Sequence, residues 1–345
     1  MSEVLYRKYR PQTFADVVGQ DHVVKTLSSQ IALGTIGHAY LFAGSRGTGK
    51  TSIARILARE LGTSTHDLYE IDAASNTSVD DIRELNESVH TLPFDSKYKI
   101  YILDEVHMLS KSASNALLKT LEEPPAHVIF ILATTETHKI LETILSRCQV
   151  YTFKTPNQQV LKTVVKNVAK KEGYTLADSS ADLIALLGDG SFRDTLGTLQ
   201  KVLSSSKDKK ITEDEVLLVT GAPQTTLVNE LVEAIVYKKL TDALDVVKKI
   251  ADQNVDMSVL LKLLLSKMRA LLLMRFGSSL LVKDMLSEED MAWVEKLAKD
   301  KTVEVSSATI VALLDAYTAT GKAYISSLPL ELALVSIIGD KDLGK

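Results

Sequence analysis

Gly44-Ser45-Arg46-Gly47-Thr48-Gly49-Lys50-Thr51 has the spacing of a phosphate-binding loop: a Gly, four residues, Gly, Lys, then Ser or Thr. Glycines at these positions let the backbone curl until successive N–H groups face phosphate oxygens, above the positive end of a helix dipole. In that arrangement Lys50 reaches the β- and γ-phosphates and the Thr51 hydroxyl sits on a magnesium ion, with Ser52 alongside in the first helical turn. Farther along, Asp104-Glu105 closes an apolar run. Two acids there suit two tasks: Asp104 holds magnesium, through water, and Glu105 takes a proton from an attacking water as general base. The chemistry implied is ATP binding and hydrolysis. A glycine-rich loop can match by chance, and strand-end acids can be simple solubilisers, so the flanking elements decide.

Those elements are in place. His38 to Ala43 reads as a buried strand before the loop and Ser52 to Ala58 as a helix after it. Leu68 to Ala73 is a short strand, and Val79, Ile82, Leu85 and Val89 carry helical spacing. Tyr98 to Glu105 fits a strand buried on both faces of a parallel sheet, whose C-terminal end is where open α/β sheets bind ligands. A helix from about Ser112 to Leu121 is stopped by Glu122-Glu123-Pro124-Pro125, and Val128 to Thr135 is a further buried strand. Thr135, at the same crevice, is a candidate to sense the γ-phosphate or hold the water; terminal threonines also cap turns. The lead-in from Leu5 to Phe14 is basic, aromatic and irregular, and is followed by a helix from Asp21, its expected cap, to Leu33, with Gly34 as the stop. Placed just ahead of a phosphate loop, it is positioned to wrap the base with Tyr9, Arg10, Pro11, Val17 and Val18, or else to be a tethered arm. Alternating elements to about Lys154, with Ile144 to Cys148 closing them off, predict a parallel, doubly wound α/β nucleotide domain over residues 1–154.

Composition bounds the rest. A chain of 345 residues predicts two or three domains. With 40 basic against 44 acidic residues the net charge is -4, so a polyanion site must be a local patch. Cys148 stands alone, which excludes a disulfide framework or a cysteine-rich zinc site within one chain. The N-terminus lacks a signal peptide's apolar core, and the greasiest region, Val255 to Val282, is interrupted by Asp256, Lys262, Lys267, Arg269 and Arg275, short of the ~18 uninterrupted apolar residues of a spanning helix. The expectation is a soluble cytoplasmic protein with no membrane partner.

Beyond the first domain the pattern is helical. Asn157 to Glu172 is amphipathic, with Val160, Leu161, Val164, Val165 and Val168 on one face, and ends at Gly173. Asp182 to Leu187, Arg193 to Leu203 and a Thr212/Glu215 capping box mark three more helices, with Ser204 to Lys210 as a solvated loop. Long helices follow Gly221-Ala222-Pro223 to about Gly339. The leucines between Leu260 and Leu273 surround their helix almost completely, which burial in one domain and a subunit interface explain equally well.

The segments YRKYRPQTFADVVGQ, GSRGTGKT, YILDEVHMLS, NALLKTLEEPP, ILATTE, SRC (Ser146 to Cys148) and GSFRD (Gly190 to Asp194) occur in an order that resembles the bacterial DNA polymerase III gamma/tau family, the AAA+ ATPases of the sliding-clamp loader. The motifs cover roughly the first two-thirds of the chain; the helical remainder agrees in position and type. The resemblance implies a helical lid over 155–221 and an all-helical, oligomerising collar over 222–345 behind the P-loop domain. It implies that Arg147 is an arginine finger offered in trans to a neighbouring subunit's ATP, that Arg193 is a sensor reaching the γ-phosphate in cis, and that Arg83, Lys119 and Lys139 face the primer-template backbone. ATP and Mg²⁺ are the implied ligands. The implied partners are further copies of the chain, delta- and delta-prime-type subunits, the sliding clamp and primed DNA. A catalytically silent scaffold subunit and an independent AAA+ helicase or remodelling ATPase are the alternatives; the intact Lys50, Thr51, Asp104 and Glu105 argue against the first, and the absence of an obvious pore element against the second.

One departure bears on metal. Family members commonly carry a four-cysteine zinc module between the phosphate-loop helix and the next strand, where this chain has Leu61-Gly62-Thr63-Ser64-Thr65-His66-Asp67-Leu68. Zinc is therefore not expected. Elemental analysis of the purified chain should find no stoichiometric zinc, and the fold should survive a strong chelator; about one zinc per chain would contradict this.

Overall fold

The computed structural model describes residues 3–75, 77–206, 208–253, 255–278, 282, 286 and 288–339. It divides into two compact units, Met1–Pro156 with Gly190–Arg193, and Asn157–Asp189 with Asp194–Lys345. Lys207 of the expected solvated loop, and residues 340–345 of the expected collar, lie outside the described residues.

In the first unit, strands β1 (Ala39–Ala43), β2 (Leu68–Asp72), β3 (Lys99–Asp104), β4 (Val128–Thr134) and β5 (Gln149–Thr152) form one parallel sheet in the order β2-β3-β4-β1-β5. Because side chains alternate across a strand, each apolar run feeds both faces. Tyr40, Phe42, Ile100, Ile102, Ile129 and Ile131 pack with Val23 and Leu27 of α2 (Asp21–Leu33) and with Ile53, Ala54 and Leu57 of α3 (Lys50–Glu60). Leu41, Tyr101, Leu103, Phe130 and Leu132 pack with Ile82 and Leu85 of α4 (Val79–Ser88) and with Leu117 and Leu121 of α5 (Lys111–Glu122). Ser78 caps α4 in a reciprocal capping box with Asp81, and Ser110 caps α5.

The lead-in is more ordered than its composition suggests. It contains α1 (Leu5–Lys8), with Leu5 buried, and a single 3₁₀ turn, Phe14–Asp16, whose Asp16 carboxylate accepts both the N–H and the hydroxyl of Thr13, at 3.0 and 2.8 Å. Asp21 is not a cap: it is the first residue of α2, the N-cap position is Gln20, and Gln20 sends its side chain elsewhere. Gly34 does end the helix, at φ 67°. The Ile144 to Cys148 segment is followed by one more strand: α6 (Glu142–Leu145) leads directly into β5, whose half-exposed edge position hides it from a search for apolar runs.

The second unit is almost entirely helical. Helices α7 (Gln158–Lys171), α8 (Asp178–Leu187), α9 (Phe192–Ser205) and α10 (Glu213–Thr220) share it with a two-residue parallel pairing of Thr175–Leu176 with Lys210–Ile211 that periodicity does not reveal. Asp182 lies inside α8, which begins at Asp178, and the Thr212/Glu215 capping box starts α10. Helices α11 (Thr225–Val236), α12 (Leu240–Asp252) and α13 (Met257–Arg275) follow, then Glu288–Lys299, Ser307–Thr320 and Leu328–Leu334. In α13, Leu260, Leu261, Leu264 and Leu271 are fully buried within this unit and Leu263, Leu265 and Leu273 pack against the same core, so burial inside one unit accounts for these seven leucines. Lys267 is buried there too, its ammonium on Asn229 at 2.6 Å and Asp290 at 2.5 Å. Among the described residues no helix is long and apolar enough to cross a membrane.

The Leu61 to Leu68 stretch is held by a carboxylate. Asp67 is 1% exposed and accepts the backbone N–H groups of Phe94, Asp95 and Ser96 at 2.6, 3.1 and 2.9 Å. Burial by itself disfavours the charged form, but the N–H groups outweigh it and hold the carboxyl well below its ordinary 3.8. A depressed carboxyl contributes stability that is present above the unfolded value and is lost as pH falls through the folded one. Asp67→Asn turns an amide toward these donors and should cost about 2 kcal/mol in urea unfolding at pH 7. The deficit relative to wild type should shrink as pH is lowered below about 4; a deficit independent of pH would show that the charge is not what holds the loop.

Candidate nucleotide-binding site

The register of the sheet aligns three strand ends. Ala43 pairs with Thr134, and Leu103 with Leu132, so the segments that leave β1, β3 and β4 emerge side by side at one edge. The Gly44 N–H donates to the Thr134 carbonyl at 3.2 Å, extending the ladder into the loop. Gly44 has φ 154°, and a Cβ there would stand 2.6 Å from the Phe153 carbonyl oxygen; Gly47 has φ 73°, and a Cβ there would strike the Ser191 side chain. The Phe192 N–H in turn donates to the Gly47 carbonyl at 3.0 Å, so the 190–193 segment lies directly on the loop. Gly49 precedes α3 at φ 102°. The Thr48 hydroxyl is buried on the Ser45 carbonyl at 2.9 Å, Ser45 and Arg46 are exposed, and Ser52 is half-buried in the first turn of α3.

Lys50 is 5% exposed, and its ammonium donates to the Gly44 and Ser45 carbonyls at 2.7 and 3.0 Å. Burial lowers its pKa; Glu105 and Asp104 oppose that shift, and Arg193 adds to it. The Thr51 hydroxyl donates to one Asp104 oxygen at 2.7 Å, while the other accepts the Glu105 N–H at 3.0 Å. A hydroxyl and a carboxylate in contact supply hard oxygen donors of the kind Mg²⁺ takes. Glu105 itself has φ 50°, a conformation that costs a non-glycine residue about 1–2 kcal/mol. Four residues of β3 ahead of Asp104, Ile100 to Leu103, are fully buried at ~1.5–3 kcal/mol each, and this outweighs the strain and lets the strand end abruptly with the carboxylate turned into the crevice. There it takes the Thr135 hydroxyl at 3.3 Å.

Two residues that pattern reading passed over complete the site. His107, whose side chain is 6% exposed, has Nδ1 3.0 Å from Thr134 Oγ1 and 3.5 Å from Glu105 Oε2, and Nε2 3.3 Å from Glu136 Oε1. Gln20, fully buried, donates to the Lys154 carbonyl at 2.7 Å and accepts the Lys154 N–H at 3.0 Å, with Thr48 O 3.4 Å from the same amide nitrogen. It stitches the lead-in to the phosphate loop and to the end of the sheet. Each sits inside a motif already quoted, VVGQ or DEVHML, but only its burial marks it out.

The remaining candidates are dispersed. Arg193 lies over the Tyr6 ring at 5.8 Å and is near enough to influence Lys50 and Arg10. Arg10 is pushed below its ordinary pKa by burial and by Arg55. The guanidinium of Arg59 holds Gln12, which pins the lead-in to α3. Tyr9 and Pro11 are half-buried there; Val17 packs into the α2 and α3 side of the core, whereas Val18 is 44% exposed, so these neighbours do not share one face. Arg147 is apart from the phosphate loop in its bonding: its guanidinium donates to Glu122 at 2.6 Å and to the Thr143 carbonyl at 2.7 Å. Arg83 on α4 pairs with Asp80, Lys139 after β4 pairs with Glu136, and Lys119 is exposed on α5; among the described residues no hydrogen bond or ion pair joins the three.

Residues 211–344 match the family described as DNA polymerase III subunits gamma and tau domain III, residues 61–157 that of the DNA polymerase III delta subunit, and residues 13–106 that of the magnesium chelatase subunit ChlI. The chain is 41% identical over 299 residues to the DNA polymerase III subunit tau of Bacillus subtilis, covering 81% of this chain and 53% of that one. It is 37% identical over 308 residues to the tau subunit of Escherichia coli, covering 83% and 48%. Against the DNA polymerase III subunit gamma of Buchnera aphidicola it is 36% identical over 318 residues, covering 86% of each. It thus spans about half the length of the tau subunits it matches. Among solved structures, the Thermotoga maritima RuvB Holliday junction branch migration motor is 23% identical with a TM-score of 0.53, over 66% of this chain and 79% of that one. That likeness shows the fold, a parallel α/β domain followed by helices. With a gamma subunit matched across nearly its whole length, the chain belongs to the DNA polymerase III gamma/tau family.

Proposed function

We propose that this chain is the ATP-dependent motor subunit of a DNA polymerase III clamp loader, working in the cytoplasm to place a ring-shaped sliding clamp on primed DNA. The observation that carries the reading is the convergence of Lys50, Thr51, Asp104, Glu105 and Thr135 at adjoining strand ends. The loop backbone and Lys50 would bind the phosphates of ATP, and Thr51 with Asp104 would hold Mg²⁺, which when bound neutralises phosphate charge. The donor set fits both ligands: two glycines no other residue could replace without collision, a buried amine, and a hydroxyl and carboxylate in contact. Glu105 accepts the proton of the attacking water, Thr135 orients that carboxylate, and Arg193, close to Lys50, senses the γ-phosphate in cis. A silent scaffold would have no use for this set.

The proposed division of the second unit is a lid over 155–221 and a collar over 222–345, the collar meeting further copies and delta-type subunits. The exposed side chains of Leu328 and Leu332, four apart on the last α-helix, and of Val311 and Leu314, three apart on the helix before it, favour such contact. Arg83, Lys119 and Lys139 are proposed to meet the primer-template backbone. Arg147 is proposed to act in trans. Its pairing with Glu122 supports the competing reading of a structural arginine, and one experiment separates the two.

Glu105→Gln should bind ATP as wild type does and lose turnover, because the amide keeps the shape but accepts no proton, whereas Lys50→Ala should weaken binding itself; unchanged steady-state hydrolysis in Glu105→Gln removes Glu105 from the mechanism. For Arg147, the assembled, DNA-stimulated complex is the assay. Arg147→Ala should lose roughly a thousandfold in rate, as expected of an arginine finger. Mixed with Lys50→Ala it should recover hydrolysis that neither parent shows, since some interfaces then pair an intact ATP site with an intact finger. A wild-type rate for Arg147→Ala alone would mean that the arginine only braces Glu122.

A further inference from the structure

We infer that His107 is a positioning residue for Glu105, and that it connects Glu105 to the surface pair Glu136–Lys139 so that an anion engaging Lys139 is felt at the general base. The inference rests on the proposed roles of Glu105 and Lys139. Thr134 Oγ1 accepts the Glu136 N–H at 3.0 Å and lies 3.0 Å from His107 Nδ1, to which its hydroxyl can donate. The Glu136 carboxylate, an acceptor only, has Oε1 3.3 Å from Nε2, which favours the tautomer that carries its proton on Nε2 and accepts at Nδ1. In this tautomer the ring has no proton to give to Glu105 Oε2, 3.5 Å from Nδ1. Glu105 therefore keeps only the Thr135 hydroxyl, and its remaining lone pairs stay free for a proton from water. The opposite tautomer would donate from Nδ1 to Glu105 and occupy the base.

Glu136 selects between the two tautomers, and it is itself shared. Lys139 Nζ lies 2.9 Å from it and His138 Nε2 3.6 Å away, and the Lys139 hydrogen bond holds its carboxyl below the ordinary value. A phosphate that draws Lys139 off leaves the Glu136 charge to the His107 Nε2–H and strengthens the tautomer that frees Glu105. His107 is buried while Glu136 and Lys139 are open to solvent, so the contacts run from the surface to the crevice without a break.

The test uses the full chain, alone and assembled with its partner subunits, with Glu105→Gln, His107→Ala and Glu136→Ala. Ring ¹⁵N chemical shifts should report the Nε2–H tautomer for His107 in the wild type and its loss in Glu136→Ala; an Nδ1–H tautomer in the wild type overturns the inference. Glu136→Ala and His107→Ala should each lower kcat about tenfold, short of the roughly hundredfold or more that losing the general base itself costs, with affinity for a non-hydrolysable ATP analogue within about twofold of wild type. Their effects should not add, because Glu136 acts through His107. The ratio of rates with and without an oligonucleotide primer-template should fall toward one in Glu136→Ala although the duplex still binds. Glu136 is partly solvent-exposed, so this variant decides the matter even if His107→Ala does not fold. A wild-type kcat and DNA response in Glu136→Ala overturns the inference while an inactive Glu105→Gln leaves the proposed function standing; an active Glu105→Gln defeats the proposed function itself.

Discussion

The parallel register of β1, β3 and β4 is the constraint on which the site depends. Ala43 opposite Thr134 and Leu103 opposite Leu132 bring a loop, two acids and two threonines to one edge although they lie up to some 90 positions apart in the chain. Burial on both faces makes that register strict, since a slip of one residue would exchange the side chains that face α2 and α3 with those that face α4 and α5. The strain at Glu105 is affordable for the same reason: the strand before it cannot move without exposing Tyr101 or Ile102.

At both ends of the sheet the protein uses buried polar groups as fasteners, each satisfied by backbone. Gln20 reads both the N–H and the C=O of Lys154, Asp67 takes three consecutive backbone donors, and Thr48 holds the loop's own carbonyl. Leaving such groups unpaired costs more than pairing them gains, so they specify one arrangement rather than adding much net stability. The Asp67 clasp explains how the Leu61 to Leu68 stretch is held without metal-ligating cysteines: a carboxylate organises the 94–96 turn by accepting what a bare loop would leave to water.

The electrostatics of the crevice are balanced rather than simply positive. Burial, helped by Arg193, disfavours the charge on Lys50 more than Glu105 and Asp104 favour it, so an incoming polyphosphate would meet an amine already desolvated and held by two carbonyls. Arg147 stands in a different environment, spanning α6 and Glu122 at the end of α5, where its charge is neutralised within its own unit. A neighbouring subunit's phosphate would have to compete with that pair.

The phosphate loop, the acids after β3 and the strand–helix alternation were legible in the sequence because each is local: glycine spacing, an apolar run and its ending are properties of neighbouring residues. The helical remainder and the capping box at Thr212 were legible for the same reason, as was the assignment to the gamma/tau family from motif order. What only the tertiary structure decided are the features made by distant residues or by burial. Strand β5 is an edge strand of mixed exposure; Asp21 yields the cap position to Gln20 because Gln20 is recruited by Lys154, more than a hundred residues away; the leucines of α13 turn inward within one unit. His107 looked like any histidine in a quoted motif until packing placed it between Glu105 and Glu136, since nothing in a one-dimensional pattern encodes which side chains a buried ring will touch.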